Sequence, residues 1–178
     1  TFHSNIYPQQ QQQQRYLHRY ADAPQSLGFG ATVSAPWVQA MALNELATHI
    51  SKSNSVTLDI GSGSGIMVAY IARVAKRTVQ DDDDDVKKVV GIEVLPALVE
   101  LSLMYLKRCD VEEKRIIVDI IQGNGWNVQG KLRYDAINVG AQAETLPDSL
   151  IELLKPGGRL VCPVGPKQKQ GKLICVDK

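Results

Sequence analysis

The sequence has few of the residues that build metal sites, disulfide frameworks or strongly charged surfaces. Its 178 residues include only three cysteines and three histidines, and neither set has the spacing of a metal site. Cys109, Cys162 and Cys175 are odd in number and lie in apolar runs, which predicts reduced core thiols and no bound metal. The formal net charge of +1 gives no overall field toward nucleic acid or an anionic membrane.

Long apolar runs are also missing. No stretch approaches the ~20 residues of a membrane-spanning helix, and no signal peptide is visible. The hydrophobic content of 44% and the charged content of 22% are ordinary globular values. We therefore expect one cytoplasmic globular domain, a monomer, with no membrane or nucleic-acid partner.

Two low-complexity runs stand apart from the rest of the chain. Residues 9–14 are six glutamines, and we assign residues 1–19 to an N-terminal arm and 20–178 to the folded domain. Residues 81–85 are five aspartates, which predict a solvated loop because a calcium site needs alternating ligands and a turn glycine. Residues 22–36 are rich in glycine, proline and small polar residues, and they predict a long loop of functional interest.

From residue 37 onward the pattern predicts alternating helices and strands, and hence a doubly wound, mostly parallel α/β sheet. Ligands bind such sheets at the carboxyl ends of the strands. The predicted helices are 37–52, 66–74, 97–108 and 147–154, the last stopped by the sequence at 155–158. The predicted strands are 56–60, 88–92, 116–122, 134–139, 159–163 and one that begins at 172–176.

The strongest motif is a glycine-rich turn after the strand at 56–60. Gly61, Gly63 and Gly65 allow a tight turn and close approach of the backbone to a ligand. Glu93, at the end of the next strand, can accept hydrogen bonds from two ribose hydroxyls. Together they predict an adenosine-binding site, the alternative being an ordinary strand–turn–helix.

Spacing alone does not say which adenosine cofactor binds. The distance from Gly65 to Glu93 does not exclude a dinucleotide once the five aspartates are set aside as an insertion. Ile66 stands where a dinucleotide fingerprint has a small residue, and Asp59 disfavours a pyrophosphate. A cationic sulfonium such as S-adenosylmethionine suits this turn better.

Six segments closely resemble the protein-L-isoaspartate (D-aspartate) O-methyltransferase family. The glycine turn and Glu93 are shared by many methyltransferases, whereas the segment at 31–36 is specific to this one family. The matching segments are 20–28 (Tyr-Ala-Asp-Ala-Pro-Gln-Ser-Leu-Gly), 31–36 (Ala-Thr-Val-Ser-Ala-Pro), 58–65, 90–93, 134–141 and 154–165.

The resemblance implies the Rossmann-like class I methyltransferase fold and methyl transfer from S-adenosylmethionine to the free carboxylate of L-isoaspartyl or D-aspartyl residues in damaged proteins. The product would be S-adenosyl-L-homocysteine. The family continues past Lys178, so we expect the domain here to be truncated at its C-terminus. The implied cofactor-binding residues are Ala31, Thr32, Val33, Ser34, Gln39, Asp59, Ile60, Gly61, Ser62, Gly63, Ser64, Gly65, Glu93, Val94, Asn124 and Gly125.

On the acceptor side, the resemblance implies that Ser34 orients the attacking carboxylate and is the catalytic residue. Its alternative role is a helix N-cap, because it stands just before Pro36. The resemblance places Thr32 and Val33 between acceptor and cofactor. The strand end formed by Val139, Gly140 and Ala141 offers backbone to the isoaspartyl chain, or is a plain turn. A carboxylate acceptor is already anionic at neutral pH, so no general base is expected.

The chain departs from the family at three positions. Trp37 and Gln39 stand where the family usually has histidines, and Asn124 stands where it usually has aspartate. Gln39 is either a cofactor contact or a surface glutamine, and Trp37 is expected to pack against residues 31–34. Two rival functions follow: a methyltransferase acting on a small molecule or RNA, or a non-catalytic S-adenosylmethionine-binding protein.

Overall fold

Six of the eight described strands form one central sheet in a computed structural model, which describes residues 21–79, 84–111, 113–128, 130–166 and 171–178. The predicted arm at 1–19 lies outside these residues. The strands are β1 (Gln25–Gly28), β2 (Ala31–Val33), β3 (Val56–Ile60), β4 (Lys87–Glu93), β5 (Ile116–Gln122), β6 (Tyr134–Val139), β7 (Leu154–Val164) and β8 (Lys172–Asp177). The helices are α1 (Pro36–Ile50), α2 (Ile66–Arg77), α3 (Pro96–Cys109) and α4 (Asp148–Glu152), with a 3₁₀ turn at Gly125–Asn127.

The sheet has the strand order β5-β4-β3-β6-β7-β8. Its first five strands are parallel, and β8 is antiparallel to β7. The chain moves outward from β3 through β4 to β5 on one side, and from β6 to β7 on the other. The carboxyl ends of β3 and β6 therefore meet where the strand order reverses, the usual ligand position in such sheets. The predicted doubly wound, mostly parallel fold is confirmed.

Two hydrophobic cores hold the layers together. On one face of the sheet, α1, α2 and α3 pack through buried residues such as Leu46, Ile71 and Leu106. On the other face, Leu58 and Ile137 of the sheet pack in the cluster that holds Leu150 of α4. None of the helices in the described part of the chain is long and apolar enough to cross a membrane.

The segment predicted as a loop at 22–36 contains a two-stranded hairpin instead. β1 and β2 pair antiparallel with each other and form a separate small sheet. The tip is Gly28-Phe29-Gly30, where all three residues have positive φ angles of 84°, 54° and 74°. Composition alone could not distinguish this hairpin from a loop, because only seven residues form its strands.

The boundary between α4 and β7 also differs from the prediction. The helix ends at Glu152, and the sequence Lys155-Pro156-Gly157-Gly158 lies within β7 rather than in a helix-stop loop. Tyr134 pairs with Leu154, whereas Ala136 pairs with Arg159, so the register of β6 and β7 shifts between these pairs. The shift accommodates additional residues in β7. Gly157 and Gly158 also exchange backbone hydrogen bonds with Lys178.

The three thiols are free, but only Cys162 is fully buried. Burial raises its pKa to about 11. Cys109 is half-buried, and Cys175 is exposed on β8. The prediction of a core position is therefore wrong for Cys175, which lies exposed on β8, the strand at the edge of the sheet.

The last aspartate of the run at 81–85 is buried, contrary to the prediction of a solvated loop. Asp85 accepts a hydrogen bond from the backbone N–H of Asn54 at 2.8 Å and lies 3.8 Å from the ammonium of Lys87. The side chain of Lys87 is 0% exposed and also donates to the carbonyls of Ser51 and Lys52, which directly follow helix α1. Burial lowers the pKa of Lys87, while Asp85 opposes that shift. The pair thus anchors the C-terminus of α1. Residues 81–83 lie outside the described part.

We expect Asp85→Ala to lower the free energy of unfolding by about 3–5 kcal/mol, because it leaves a buried ammonium without its counter-charge. Urea unfolding monitored by circular dichroism measures the change. The exposed neighbour gives a matched control, and Asp84→Ala should cost less than about 1 kcal/mol. Equal losses in the two variants would contradict the anchoring role.

Candidate functional site

A cavity opens where the carboxyl ends of β3 and β6 meet, between the hairpin, α1 and α2. Among the predicted site residues, those that line it are Thr32, Val33, Ser34, Gln39, Asp59, Gly61, Ser62, Gly63, Ser64, Val139 and Gly140. The other predicted site residues lie outside its lining: Ala31, Ile60, Gly65, Glu93, Val94, Asn124, Gly125 and Ala141. Cofactor and acceptor residues predicted separately thus meet in one cavity.

The turn after β3 has the backbone conformation that its glycines predict. Gly61, Gly63 and Gly65 have φ angles of 74°, 54° and 80°. At Gly63 a Cβ would lie 3.2 Å from Cδ1 of Leu27. The glycine therefore allows the hairpin to lie directly on the turn, and Leu27 closes one side of the cavity.

Asp59 is the buried acid of the site. It is 1% exposed, and its Oδ1 accepts a hydrogen bond from Nδ2 of Asn138 at 2.7 Å. Within the described residues, Asp59 Oδ2 and the hydroxyl of Ser62 are buried without a hydrogen-bond partner. Burial raises the pKa of Asp59 to about 6; the hydrogen bond from Asn138 opposes this shift and the charge of Glu93 adds to it. Unpaired buried polar atoms are costly, so the cavity is suited to a ligand that donates hydrogen bonds or is cationic.

Glu93 braces the glycine turn. Its Oε2 accepts from the backbone N–H of Gly63 and its Oε1 from that of Leu95, both at 2.9 Å. It is buried, and it lies outside the lining of the main cavity. Because each carboxylate oxygen can accept more than one hydrogen bond, Glu93 retains acceptor capacity for a ligand.

Ser34 does not cap helix α1. The N-cap is Ala35, without a side-chain hydrogen bond, and Pro36 occupies the first turn. In the described residues, no hydrogen bond engages the Ser34 hydroxyl, and the residue lines the cavity. Its backbone carbonyl accepts from Nε2 of Gln39 at 2.6 Å. The N-cap alternative is therefore wrong.

Gln39 and Trp37 occupy different environments on the same helix. Gln39 is 8% exposed and lines the cavity, so the alternative of a surface glutamine is wrong. Trp37 is 45% exposed, so the expected core packing against residues 31–34 is also wrong. Its backbone N–H donates to Oδ1 of Asp22 at 2.9 Å, which fixes the start of α1 relative to the segment before the hairpin.

The residues predicted to contact the adenine of the cofactor lie outside the lining of the main cavity. Asn124 is exposed, and its Oδ1 accepts from the backbone N–H of Trp126 at 3.0 Å, so this oxygen already caps the 3₁₀ turn. Gly125 packs against Ile60, since a Cβ there would lie 2.2 Å from Cγ2 of Ile60. Val94 is exposed next to Glu93.

Sequence reasoning missed eight residues that line the cavity. Asn138 had a detectable signal, because it is a polar residue among the apolar residues Ala136, Ile137 and Val139 of β6. Pro163 and Leu173 come from the distant strands β7 and β8, and no local pattern could have assigned them. The eight are Leu27, Val38, Ala42, Ile66, Met67, Asn138, Pro163 and Leu173.

The chain is similar to a known group of proteins over most of its length. A family model described as protein-L-isoaspartate(D-aspartate) O-methyltransferase matches residues 7–178. A Dictyostelium discoideum protein named "Probable protein-L-isoaspartate O-methyltransferase" is 40% identical over 89% of this chain and 48% of its own length. The Caenorhabditis elegans protein-L-isoaspartate O-methyltransferase is 38% identical over 89% of this chain and 68% of its own length. This chain thus spans about half to two thirds of these relatives.

A solved structure extends the comparison to the fold. It shows a Plasmodium falciparum protein assigned as a protein-L-isoaspartate O-methyltransferase, in complex with S-adenosyl-L-homocysteine. The TM-score is 0.75, the identity is 30%, and the match covers 89% of this chain and 73% of that one. The fold of this chain is the class I methyltransferase fold.

The raised pKa of Asp59 predicts a specific pH dependence of stability. An unfolded aspartyl carboxyl has a pKa near 3.8, whereas the folded value is about 6. Between these values the folded state holds a proton that the unfolded state has released, so this residue's contribution to stability falls as pH rises. We expect the unfolding free energy of wild type minus that of Asp59→Asn to fall by about 3 kcal/mol across this window. Urea unfolding at a series of pH values measures it, and a flat difference would contradict the assignment.

Proposed function

Because this chain belongs to the protein-L-isoaspartate(D-aspartate) O-methyltransferase family, we propose that it transfers a methyl group from S-adenosylmethionine to the free carboxylate of L-isoaspartyl or D-aspartyl residues in damaged proteins. The observation that carries the proposal is the cavity in which Asp59, the glycine turn and Ser34 come together. The cytoplasmic location and the monomeric state expected from the sequence remain predictions.

The residues present suit a cationic adenosyl cofactor. Asp59 Oδ2 and the Ser62 hydroxyl, buried and without partners in the described residues, offer acceptors for the ammonium group of the methionine part. The turn at 61–64 lines the same cavity with backbone that side chains do not cover. The remaining lone pairs of Glu93 would receive the ribose hydroxyls, and the amide of Asn124 would face the adenine. The bound sulfonium supplies an activated methyl group.

The acceptor needs position rather than activation. A carboxylate is anionic at neutral pH, so no proton has to be removed before it attacks. The unbonded hydroxyl of Ser34 would donate to one acceptor oxygen and leave the other aligned for transfer. Thr32 and Val33 form the adjoining wall, and the exposed backbone at Gly140 offers a contact for the acceptor chain. Such positioning can supply several kcal/mol of a barrier.

Gln39 extends this arrangement into helix α1. Its amide holds the carbonyl of Ser34, so the segment that carries the hydroxyl is tied to a helix that begins at Pro36. A glutamine is uncharged but can still donate this hydrogen bond. Gln39, which stands where the family usually has histidine, therefore still holds the backbone of Ser34 in place.

The proposed activity is tested with a synthetic isoaspartyl peptide and its normal aspartyl twin. We expect the protein to bind S-adenosyl-L-homocysteine in calorimetry and to produce methyl ester, scored as released methanol, from the isoaspartyl peptide only. Equal rates on the two peptides would indicate another methyltransferase. Cofactor binding without esterification of either peptide would indicate a binding protein.

Ser34→Ala separates positioning from cofactor binding. We expect the turnover rate to fall about ten- to a hundredfold, the worth of one hydrogen bond to a charged group, with cofactor affinity nearly intact. No new pH dependence should appear, because Ser34 transfers no proton. Ser149→Ala, at an exposed serine of α4, is the matched control. Full activity of Ser34→Ala would contradict the role.

A further inference from the structure

Asn138 is a polar residue in an otherwise protected strand. All six residues of β6 are buried, and Asn138 is 5% exposed. The strand pairing places it directly beside Asp59 of β3. Its Nδ2 donates to Asp59 Oδ1 at 2.7 Å, and the residue also lines the cavity. A buried amide costs free energy unless it is hydrogen-bonded, and the bond to Asp59 gives the Asn138 side chain a partner.

The bond has a defined polarity and leaves one oxygen free. A charged carboxylate only accepts hydrogen bonds, so the amide must present its NH₂ group to Asp59. One carboxylate oxygen is thereby fixed, and the planar geometry of the group then fixes the second. That second oxygen, Oδ2, is the buried atom without a partner in the described residues.

We propose that Asn138 is a positioning residue that orients the Asp59 carboxylate, keeps it charged, and so prepares its second oxygen for the ammonium group of the cofactor. The identity of the ligand rests on the proposed function, whereas the action of Asn138 on Asp59 does not. Asn138 acts on the ligand through Asp59 and has no assigned part in the transfer itself.

The neighbouring charges make this support necessary. Burial raises the pKa of Asp59, and the negative charge of Glu93, at the end of β4, adds to that shift. The hydrogen bond from Asn138 lowers that pKa and opposes both. Asp135, also on β6, is engaged elsewhere, because its Oδ2 accepts from the backbone of Val56 and from Lys155. Without the amide, Asp59 would hold its proton to a higher pH and lose its attraction for a cation over that range.

The first test follows the Asp59 carboxyl in the free protein by carbon-13 NMR across a pH titration. We expect Asn138→Leu, which matches the size of the amide but cannot donate, to move the Asp59 midpoint upward by about one pH unit or more. The exposed Asn44 of α1 gives the control, and Asn44→Leu should leave the midpoint in place. An unchanged midpoint in Asn138→Leu overturns the proposal.

A second variant covers the case in which Asn138→Leu does not fold. Asn138→Asp keeps the shape and places two carboxyls at hydrogen-bonding distance. Two such groups cannot both ionise readily, so we expect them to share one proton and titrate in two well-separated steps. Independent titration of residues 59 and 138 near the ordinary aspartate value overturns the proposal.

The third measurement is the affinity for S-adenosyl-L-homocysteine at several pH values between about 6 and 8.5. The ligand's own titration cancels in the ratio of wild-type to variant affinity. For Asn138→Leu we expect that ratio to be about fivefold near pH 6 and to narrow as pH rises and Asp59 ionises in both proteins. A ratio that stays constant with pH indicates general damage to the site and overturns the proposal. If wild type does not bind this ligand, the proposed function fails, while the NMR titration still decides the role of Asn138.

Discussion

The carboxylate of Glu93 connects two parts of the chain that the cavity needs in fixed positions. One oxygen accepts from the backbone of Gly63 and the other from that of Leu95. The first bond holds the glycine turn after β3, and the second holds the residue that precedes helix α3. The backbone N–H groups of Gly61 and Ser62 are held in addition by the carbonyl of Ile92. The end of β4 is therefore the support on which the turn, and with it the free acceptors of Asp59 and Ser62, depends.

The opposite wall of the cavity depends on contacts made outside the central sheet. The hairpin reaches the turn through Leu27, and its second strand leads into Ser34. Gln39 holds that segment to α1, while Asp22 holds the start of α1 through the backbone of Trp37. The wall is thus held by hydrogen bonds between side chains and backbone and by a small hairpin, whereas the floor is built from buried strands. Elements with few long-range contacts open more readily than core strands, so the wall is the part best suited to admit ligands.

The sequence predicted the sheet well because hydrophobic periodicity and glycine turns are local signals. The bounds of β3, β5 and β6 match their predicted ranges, and the strand ends bring Asp59 and Val139 to one edge. The hairpin was missed because seven strand residues bounded by glycines resemble a loop. The burial of Asp85 was missed because a run of like charges is normally solvated, and only tertiary structure brings Lys87 and the end of α1 against it.

Within the site, residue types could be predicted better than their partners. The glycines and Asp59 follow from a turn motif, but the hydrogen bond from Asn138 depends on the pairing of strands 79 residues apart. Glu93 was predicted as a ligand contact. Its hydrogen bonds to Gly63 and Leu95 could not be predicted, because they depend on how the turn folds back on β4. Pro163 and Leu173 join the cavity only because β7 and β8 extend the sheet beyond β6.

The position of Asp85 within its run has a consequence for how this chain can vary. The residue that pairs with Lys87 is the last of five identical residues, followed directly by Val86. Whether the run has four aspartates or six, an aspartate still precedes Val86 and Lys87. The repeat can therefore change length while the anchor of α1, and through it the helix that carries Gln39, keeps the same chemistry.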